Sequence, residues 1–190
     1  MEYSYELKIP KERIAVLIGT KGDVKKLIED ETASHIFIDS KEGDVRITGE
    51  DSLGLFSARE IIKAIGRGFS PDIALQILKS DCAFELLNIS DYVGKSQRTA
   101  MRLKARIIGT EGKTRKHIEE STETHISVYG KTIGIIGEGE NVMLARRAIE
   151  SLLAGGTHTS VYRWLEKKIK ELERNRMLGI GKIELKKDGE

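Results

Sequence analysis

One cysteine, Cys82, stands in the whole sequence. It has no partner for an internal disulfide, so an intracellular, cytoplasmic setting is expected. With no CxxC pair and no Cys/His cluster, no zinc or other metal site is expected. Aromatic residues make up only 5% of the chain, too few for a surface built to stack flat rings. No apolar run approaches the roughly 20 residues of a membrane span, and the opening MEYSYELKIP has no apolar core of a signal peptide. Amides are scarce (Gln76, Asn88, Gln97, Asn141 and Asn175) while 33% of residues are charged, a balance found in heat-adapted proteins. No nucleophile lies near a base in any pattern that suggests catalysis, so neither an enzyme nor a cofactor is expected. His35 and His125 sit at equivalent places and suit a turn or strand start.

What is present is unevenly placed charge. The chain carries a net charge of only +2. Residues 101–116, however, hold Arg102, Lys104, Arg106, Lys113, Arg115 and Lys116 against Glu111 alone, a net of +5. Extending the window back through Arg98 and Lys95 gives +7. Concentrated charge of this kind is the footprint of a polyanion partner. At its centre lies Gly109-Thr110-Glu111-Gly112. Apolar spacing on both sides is helical, with Ile107 and Ile108 before the turn and Ile118 after it. Two glycines let the turn adopt positive φ and let another backbone approach closely. The helix after Gly112 turns its free N–H groups to the same spot, which suits a phosphodiester.

The arrangement then recurs. Gly19-Thr20-Lys21-Gly22 matches the second motif at an offset of 90, as do Ile18, Ile28, Thr32, His35 and Ile36 with Ile108, Ile118, Thr122, His125 and Ile126. Gly49 matches Gly137 at an offset of 88, so the first copy has a loop two residues longer. Each copy reads strand, helix, GXXG, helix, strand, strand, helix. In the first, strand 3–9 precedes a helix at 11–18, with Ile14, Leu17 and Ile18 inward. A helix at 23–31 follows, with Val24, Leu27 and Ile28 on one stripe. Strands at 35–38 and 45–48 and a helix at 52–66, apolar at Leu53, Phe56, Ile61, Ile62 and Ile65, complete it. In the second, the expected elements are strand 84–89, helix 95–108, a helix from 113, strands 125–128 and 132–137, and helix 141–153. A GXXG turn in this order is the signature of a KH module, which clamps about four backbone nucleotides. The fold class is therefore α+β: two tandem type I KH domains (β-α-α-β-β-α) at 1–68 and 82–156, plus a C-terminal helix. Residues 69–81 make a helical linker, with Ser70-Pro71-Asp72 as a helix start. It is too apolar for a loose tether, so the two modules are expected to be held against each other. Residues 157–190 form an amphipathic helix and tail. Val161, Leu165, Ile169 and Leu172 make a stripe that caps the second module or receives a partner.

Residues 91–137, DYVGKSQRTAMRLKARIIGTEGKTRKHIEESTETHISVYGKTIGIIG, with AIGRGFSP at 64–71 upstream, resemble the archaeal and eukaryotic partner-of-Nob-one family. These are two-KH assembly factors of the small ribosomal subunit, and the similarity runs from about residue 7 to 173. The resemblance implies binding of single-stranded rRNA near the 3′ end of the small-subunit rRNA. It also implies contact with the endonuclease that trims that end, and with pre-small-subunit or translation-initiation proteins. Eukaryotic relatives have usually lost the first GXXG; here Gly19 and Gly22 are both present. KH loops often carry a basic residue between the glycines; Lys21 fits and Glu111 departs from it.

The expected RNA contacts are Gly109, Thr110, Glu111, Gly112, Lys113, Arg115, Lys116, Lys104 and Arg106, with Ile108 and Ile126 under the bases. In the first module they are Gly19, Thr20, Lys21, Gly22 and Lys25. Ile107, Ile118, Ile18, Ile28 and Ile36 are further candidates for an apolar groove floor, and each is also a candidate core residue. Residues 11–26 hold five basic residues against two acidic, a net of +3, so the second module is expected to grip more firmly. Gly112-Lys113-Thr114 resembles the end of a nucleotide-binding P-loop, but Ile107 stands where its first glycine belongs. A KH adaptor of another RNA-processing or translation complex, and a mainly protein-binding scaffold, are the competing readings. A monomer is the default.

Overall fold

A computed structural model describes residues 3–93 and 96–179. The first module runs β1 (Tyr3–Lys8), α1 (Lys11–Ile18), the GXXG turn, α2 (Asp23–Thr32), β2 (Ser34–Asp39), β3 (Asp44–Gly49) and α3 (Ser52–Gly66). A short α4 (Pro71–Ala74) and a 3-10 turn (Leu75–Leu78) lead to the second module. That module runs β4 (Cys82–Asn88), α5 (Ser90–Val93), α6 (Gln97–Ile108), the second GXXG turn, α7 (Lys113–Thr122), β5 (His125–Tyr129), β6 (Thr132–Glu138) and α8 (Gly139–Leu153). The last element is α9 (His158–Met177). Both sheets are three-stranded and antiparallel, ordered β1-β3-β2 and β4-β6-β5. The type I KH order expected from the sequence is the order observed.

Each module buries the helical side of its sheet. Leu17, Ile28, Ile36, Val45, Ile47, Leu55, Ile61, Ile62 and Ile65 fill the first core. Ile107, Ile118, Ile126, Ile133, Ile135, Val142, Ile149 and Leu152 fill the second. Each such side chain contributes about 2 kcal/mol on leaving water. Val161, Leu165 and Leu172 of α9 belong to the second core, with Ile169 packed against it, so that stripe caps the module.

The two sheets differ on their outer faces. Strand β3 alternates buried and exposed, as a sheet with one wet face must. Strand β6 is buried from Ile133 to Gly137 on both faces, because the first module and the linker after it, with Phe69 and the 3-10 turn at Leu75–Leu78, cover it. Ile136 belongs to the first module's core. Phe69 lies over Gly134, where a Cβ would stand 2.5 Å from the ring, and meets Phe84 edge-on at 6.0 Å. Arg13 donates to the carbonyls of Ile65 and Phe69 at 2.8 and 2.6 Å, and Ser127 Oγ donates to Arg67 O at 2.8 Å. Tyr129 donates its hydroxyl hydrogen to Glu12 across the junction. This bond lowers the Glu12 pKa and raises that of Tyr129.

Three apolar residues expected to face inward are exposed: Leu27 (44%), Leu53 (73%) and Phe56 (48%). The orientation of α3 explains two of them. Asp51 caps the helix by accepting from Leu53 N and Gly54 N at 3.1 and 3.0 Å. Gly54 then lies so close to Thr32 that a Cβ would be 2.3 Å from its carbonyl oxygen. That contact turns Leu55, Ala58, Ile61, Ile62 and Ile65 inward and leaves Leu53 and Phe56 outside. Helix α5 was not expected. The expected start of the next helix at Lys95 lies outside the described residues; α6 begins at Gln97, capped by Ser96, whose Oγ accepts from Thr99 N at 3.3 Å.

Candidate nucleic-acid interface

The two GXXG turns share one backbone path. Gly19, Lys21 and Gly22 have φ of 76°, 56° and 83°; Gly109, Glu111 and Gly112 have 73°, 55° and 77°. The glycines of a pair do different jobs. A Cβ on Gly109 would stand 2.3 Å from Thr114 Oγ1, and one on Gly19 2.0 Å from Asp23 Oδ1, so the first glycine lets the two helices close together. A Cβ on Gly112 or Gly22 would meet nothing within 4 Å. The second glycine therefore supplies positive φ and leaves open space beside the start of the following helix. Lys21 and Glu111 hold left-handed conformations without being glycine, a strain of order 1–3 kcal/mol each.

Thr110, Glu111, Lys113 and Lys116 are exposed around the second turn. Lys113 lies 3.8 Å from Glu111, and Lys116 3.7 Å from Glu120, in pairs whose side chains are two-thirds or more exposed. Such pairs are worth under about 1 kcal/mol, so an incoming phosphate can replace them. Arg115 is half-buried, with Nε 3.6 Å from Glu119. Lys104 Nζ reaches Gly130 O at 3.5 Å, across a groove lined also by Met101 and Lys131. Around the first turn Thr20 and Lys21 are exposed, and Lys25 lies 3.9 Å from Glu29.

Two expectations need correction. The Arg106 guanidinium turns away from the loop and donates to Gly156 O, while its own carbonyl faces His158 Nε2 at 3.0 Å. Arg106 thus ties the α8–α9 turn to α6. Ile126 is 4% exposed, and Ile107, Ile118, Ile28 and Ile36 are 1% exposed or less. They are core residues, because their strands and helices aim them beneath the sheet. Only Ile108 and Ile18, both half-buried beside the loops, remain for a groove floor.

The copies also differ at the first residue of the second helix. In the first module this is Asp23, whose Oδ1 accepts from Val24 N at 2.7 Å. A carboxylate already occupies the positive helix end. In the second module the matching residue is Lys113, which adds a cation to that end. Sequence reasoning missed another repeated feature: Glu29 and Glu119, again 90 residues apart, accept from the edge-strand amides Ile36 N at 2.6 Å and Ile126 N at 2.7 Å. The regular offset was the only signal for it. Among the described residues there is no cluster of three or more potential metal ligands, and no helix is long and apolar enough to cross a membrane.

Comparison with known proteins agrees with this geometry. The model of the eukaryotic type KH-domain (KH-domain type I) matches residues 83–170, and the KH domain model matches residues 4–64. A KH domain-containing protein of Methanocaldococcus jannaschii is 45% identical over 90% of this chain and 76% of its own length. RNA-binding protein PNO1 of Oryzias latipes is 33% identical over 60% of this chain, which spans 47% of that protein. Among solved structures, an Aeropyrum pernix protein of unknown function superposes with a TM-score of 0.89 at 36% identity, covering 95% of this chain and 97% of that one. A Pyrococcus horikoshii chain from a complex described as a/eIF2alpha-aDim2p-rRNA superposes with a TM-score of 0.83 at 45% identity, covering 90% and 96%. With its paired KH modules and these relatives, the chain belongs to the PNO1/Dim2 family of KH-domain ribosome assembly factors.

Proposed function

We propose that this protein binds single-stranded rRNA near the 3′ end of the small-subunit rRNA, chiefly through its second module, and brings the 3′-end endonuclease to that site. The observation that carries the reading is the open second GXXG turn. Its outer glycine faces empty space, its helix starts with Lys113 instead of a carboxylate, and Arg115 and Lys116 follow in the first turn of that helix, while Lys104 reaches Gly130 O. Phosphates lie against the loop and these cations and set position; bases lie toward Ile108 and the edge of β5. The first module, with Asp23 at its helix start, is auxiliary. The rRNA in the Pyrococcus complex supports the ligand class, and the initiation factor beside it supports a translation-initiation protein as partner. The protein acts by binding and placement rather than by catalysis.

The test replaces Thr110 and Glu111 with aspartate. Asp tolerates the left-handed backbone at position 111, and both side chains are exposed, so the fold should persist. Glu111→Asp keeps its charge and Thr110→Asp adds one negative unit, so binding to a fluorescent 3′-end rRNA fragment should weaken by about fourfold at low salt. Wild-type affinity should fall with salt at a slope of about −0.7 per phosphate held. Unchanged affinity in the double variant would remove the second module from the interface. Salt-insensitive binding would favour a scaffold whose KH surfaces meet protein.

A further inference from the structure

Strand β1 is an outer strand of the first sheet, whose order is β1-β3-β2. Ile9, just past the strand, donates its N–H to Gly43 O at 3.0 Å, toward β3. Bonding direction alternates along an antiparallel strand. Leu7, Tyr5 and Tyr3 therefore bond toward β3 as well, opposite Val45, Ile47 and Gly49. The N–H and C=O groups of Ser4, Glu6 and Lys8 point to the open side. Among the described residues no other backbone group bonds to them.

The second module has the same edge and treats it differently. The pairing registers place Ala83 and Glu85 of β4 where the first module has Tyr3 and Tyr5. Helices α3 and α8, both of 15 residues, match end to end. Glu140, Met143 and Arg146 thus stand where α3 has Leu53, Phe56 and Arg59. In the second module Arg146 bridges Glu85 and Glu150, and charge placed along an edge keeps it from pairing. In the first module Arg59 lies over the Tyr5 ring instead, 5.3 Å from its centroid. Tyr3 (44%), Tyr5 (37%), Leu53 and Phe56 are all exposed along this side. An open strand with aromatic side chains beside it is a surface suited to strand pairing.

We propose that the protein self-associates through β1, two copies pairing antiparallel about a twofold axis at Tyr5. Two three-stranded sheets then become one of six. On the helical face Tyr5 of one copy meets Tyr5 of the other, and Tyr3 meets Leu7. On the bonding side Ser4 of each copy exchanges hydrogen bonds with Glu6 of the other. Cross-strand aromatic pairs are favourable, and like charges directly opposite are not. Charge therefore fixes the register. A shift of two residues one way sets Glu6 against Glu6, and the same shift the other way leaves only Tyr3–Tyr5 overlapping within the strand. The first GXXG groove lies beside β2, on the far edge of the sheet, so this pairing leaves it open.

Sedimentation equilibrium of the full chain without RNA tests this, from about 1 µM to about 1 mM. The mass of wild type should rise from that of one chain toward that of two. Tyr5→Glu copies the second module's edge: the new carboxylate can pair with Arg59 as Glu85 pairs with Arg146, so the fold should persist. It also removes the central ring pair and sets two carboxylates face to face. Self-association should weaken by at least about tenfold. Ser4→Pro removes an N–H on the open side and no bond to β3, and should weaken association as much. Thermal melting shows whether each variant is folded. Wild type that stays monomeric to about 1 mM overturns the proposal and leaves this edge to a strand of another protein. Association unchanged in either folded variant overturns it too, since the contact would then lie elsewhere. RNA takes no part in the measurement, so the RNA-binding reading stands or falls separately.

Discussion

Changing Lys113 to aspartate would give the second module the helix start of the first. Lys113 is 77% exposed, so its attraction to a phosphate acts through water. At about 5 Å and a dielectric near 80, a unit charge is worth roughly 0.8 kcal/mol, and the substitution changes the charge by two units. Screening is slight at 0.01 M salt, where the Debye length is about 30 Å, and larger at 0.15 M, where it is about 8 Å. The expected loss is thus about 1.4 kcal/mol at low salt and about 0.9 at physiological salt, or roughly tenfold and fourfold in affinity. Unfolding would not explain such a loss. An aspartate in the first turn favours a helix, and Asp23 already occupies the matching place with good geometry. Anisotropy titrations of an rRNA fragment at both salts read the effect, with thermal melting as the control. An unchanged affinity, or a loss that grows with salt, would refute the electrostatic assignment of this helix start.

Other consequences can be measured directly. Gly109→Ala should lower Tm by several degrees, since its Cβ would meet Thr114 at 2.3 Å and φ is 73°. Gly112→Ala should cost only the positive-φ strain of about 1 kcal/mol, yet still weaken RNA binding. Leu165→Ala on α9 should destabilise the second module by about 2–5 kcal/mol, because Leu165 is fully buried; denaturant unfolding reads this. The bond from Tyr129 lowers the Glu12 pKa, so its contribution to stability is present above the ordinary carboxylate range and is lost as pH falls through the lowered value. The raised Tyr129 pKa gives the opposite limb: stability is present below the ordinary phenol range and lost as pH rises through the raised value. An NMR titration should show Glu12 below its usual value in wild type and moved back up in Tyr129→Phe.

Much of the fold was legible because local signals agreed. Helices 11–18 and 52–66 were read to the residue, since their apolar spacing runs to Ile18 and Ile65 and a glycine, Gly19 or Gly66, stands at each end. The repeat at an offset of 90 made each copy a check on the other, and it placed the exposed loop residues and Lys113 correctly beside the turn. The apolar run of β6 differs from the alternation of β3, and it records the cover of the first module and the linker over that sheet; its meaning needed the other module in place.

The sequence by itself determined two copies of one fold, the site of each diglycine turn and the side of the charge, because these depend on spacing along the chain. Only the tertiary structure decided which isoleucines lie in the core, that Leu53 and Phe56 stay outside, that Arg106 holds a distant turn, and that Glu119 closes the edge amide of Ile126. Those outcomes depend on which surface a helix turns toward its neighbours. A rotation of one helix changes them without changing any local preference.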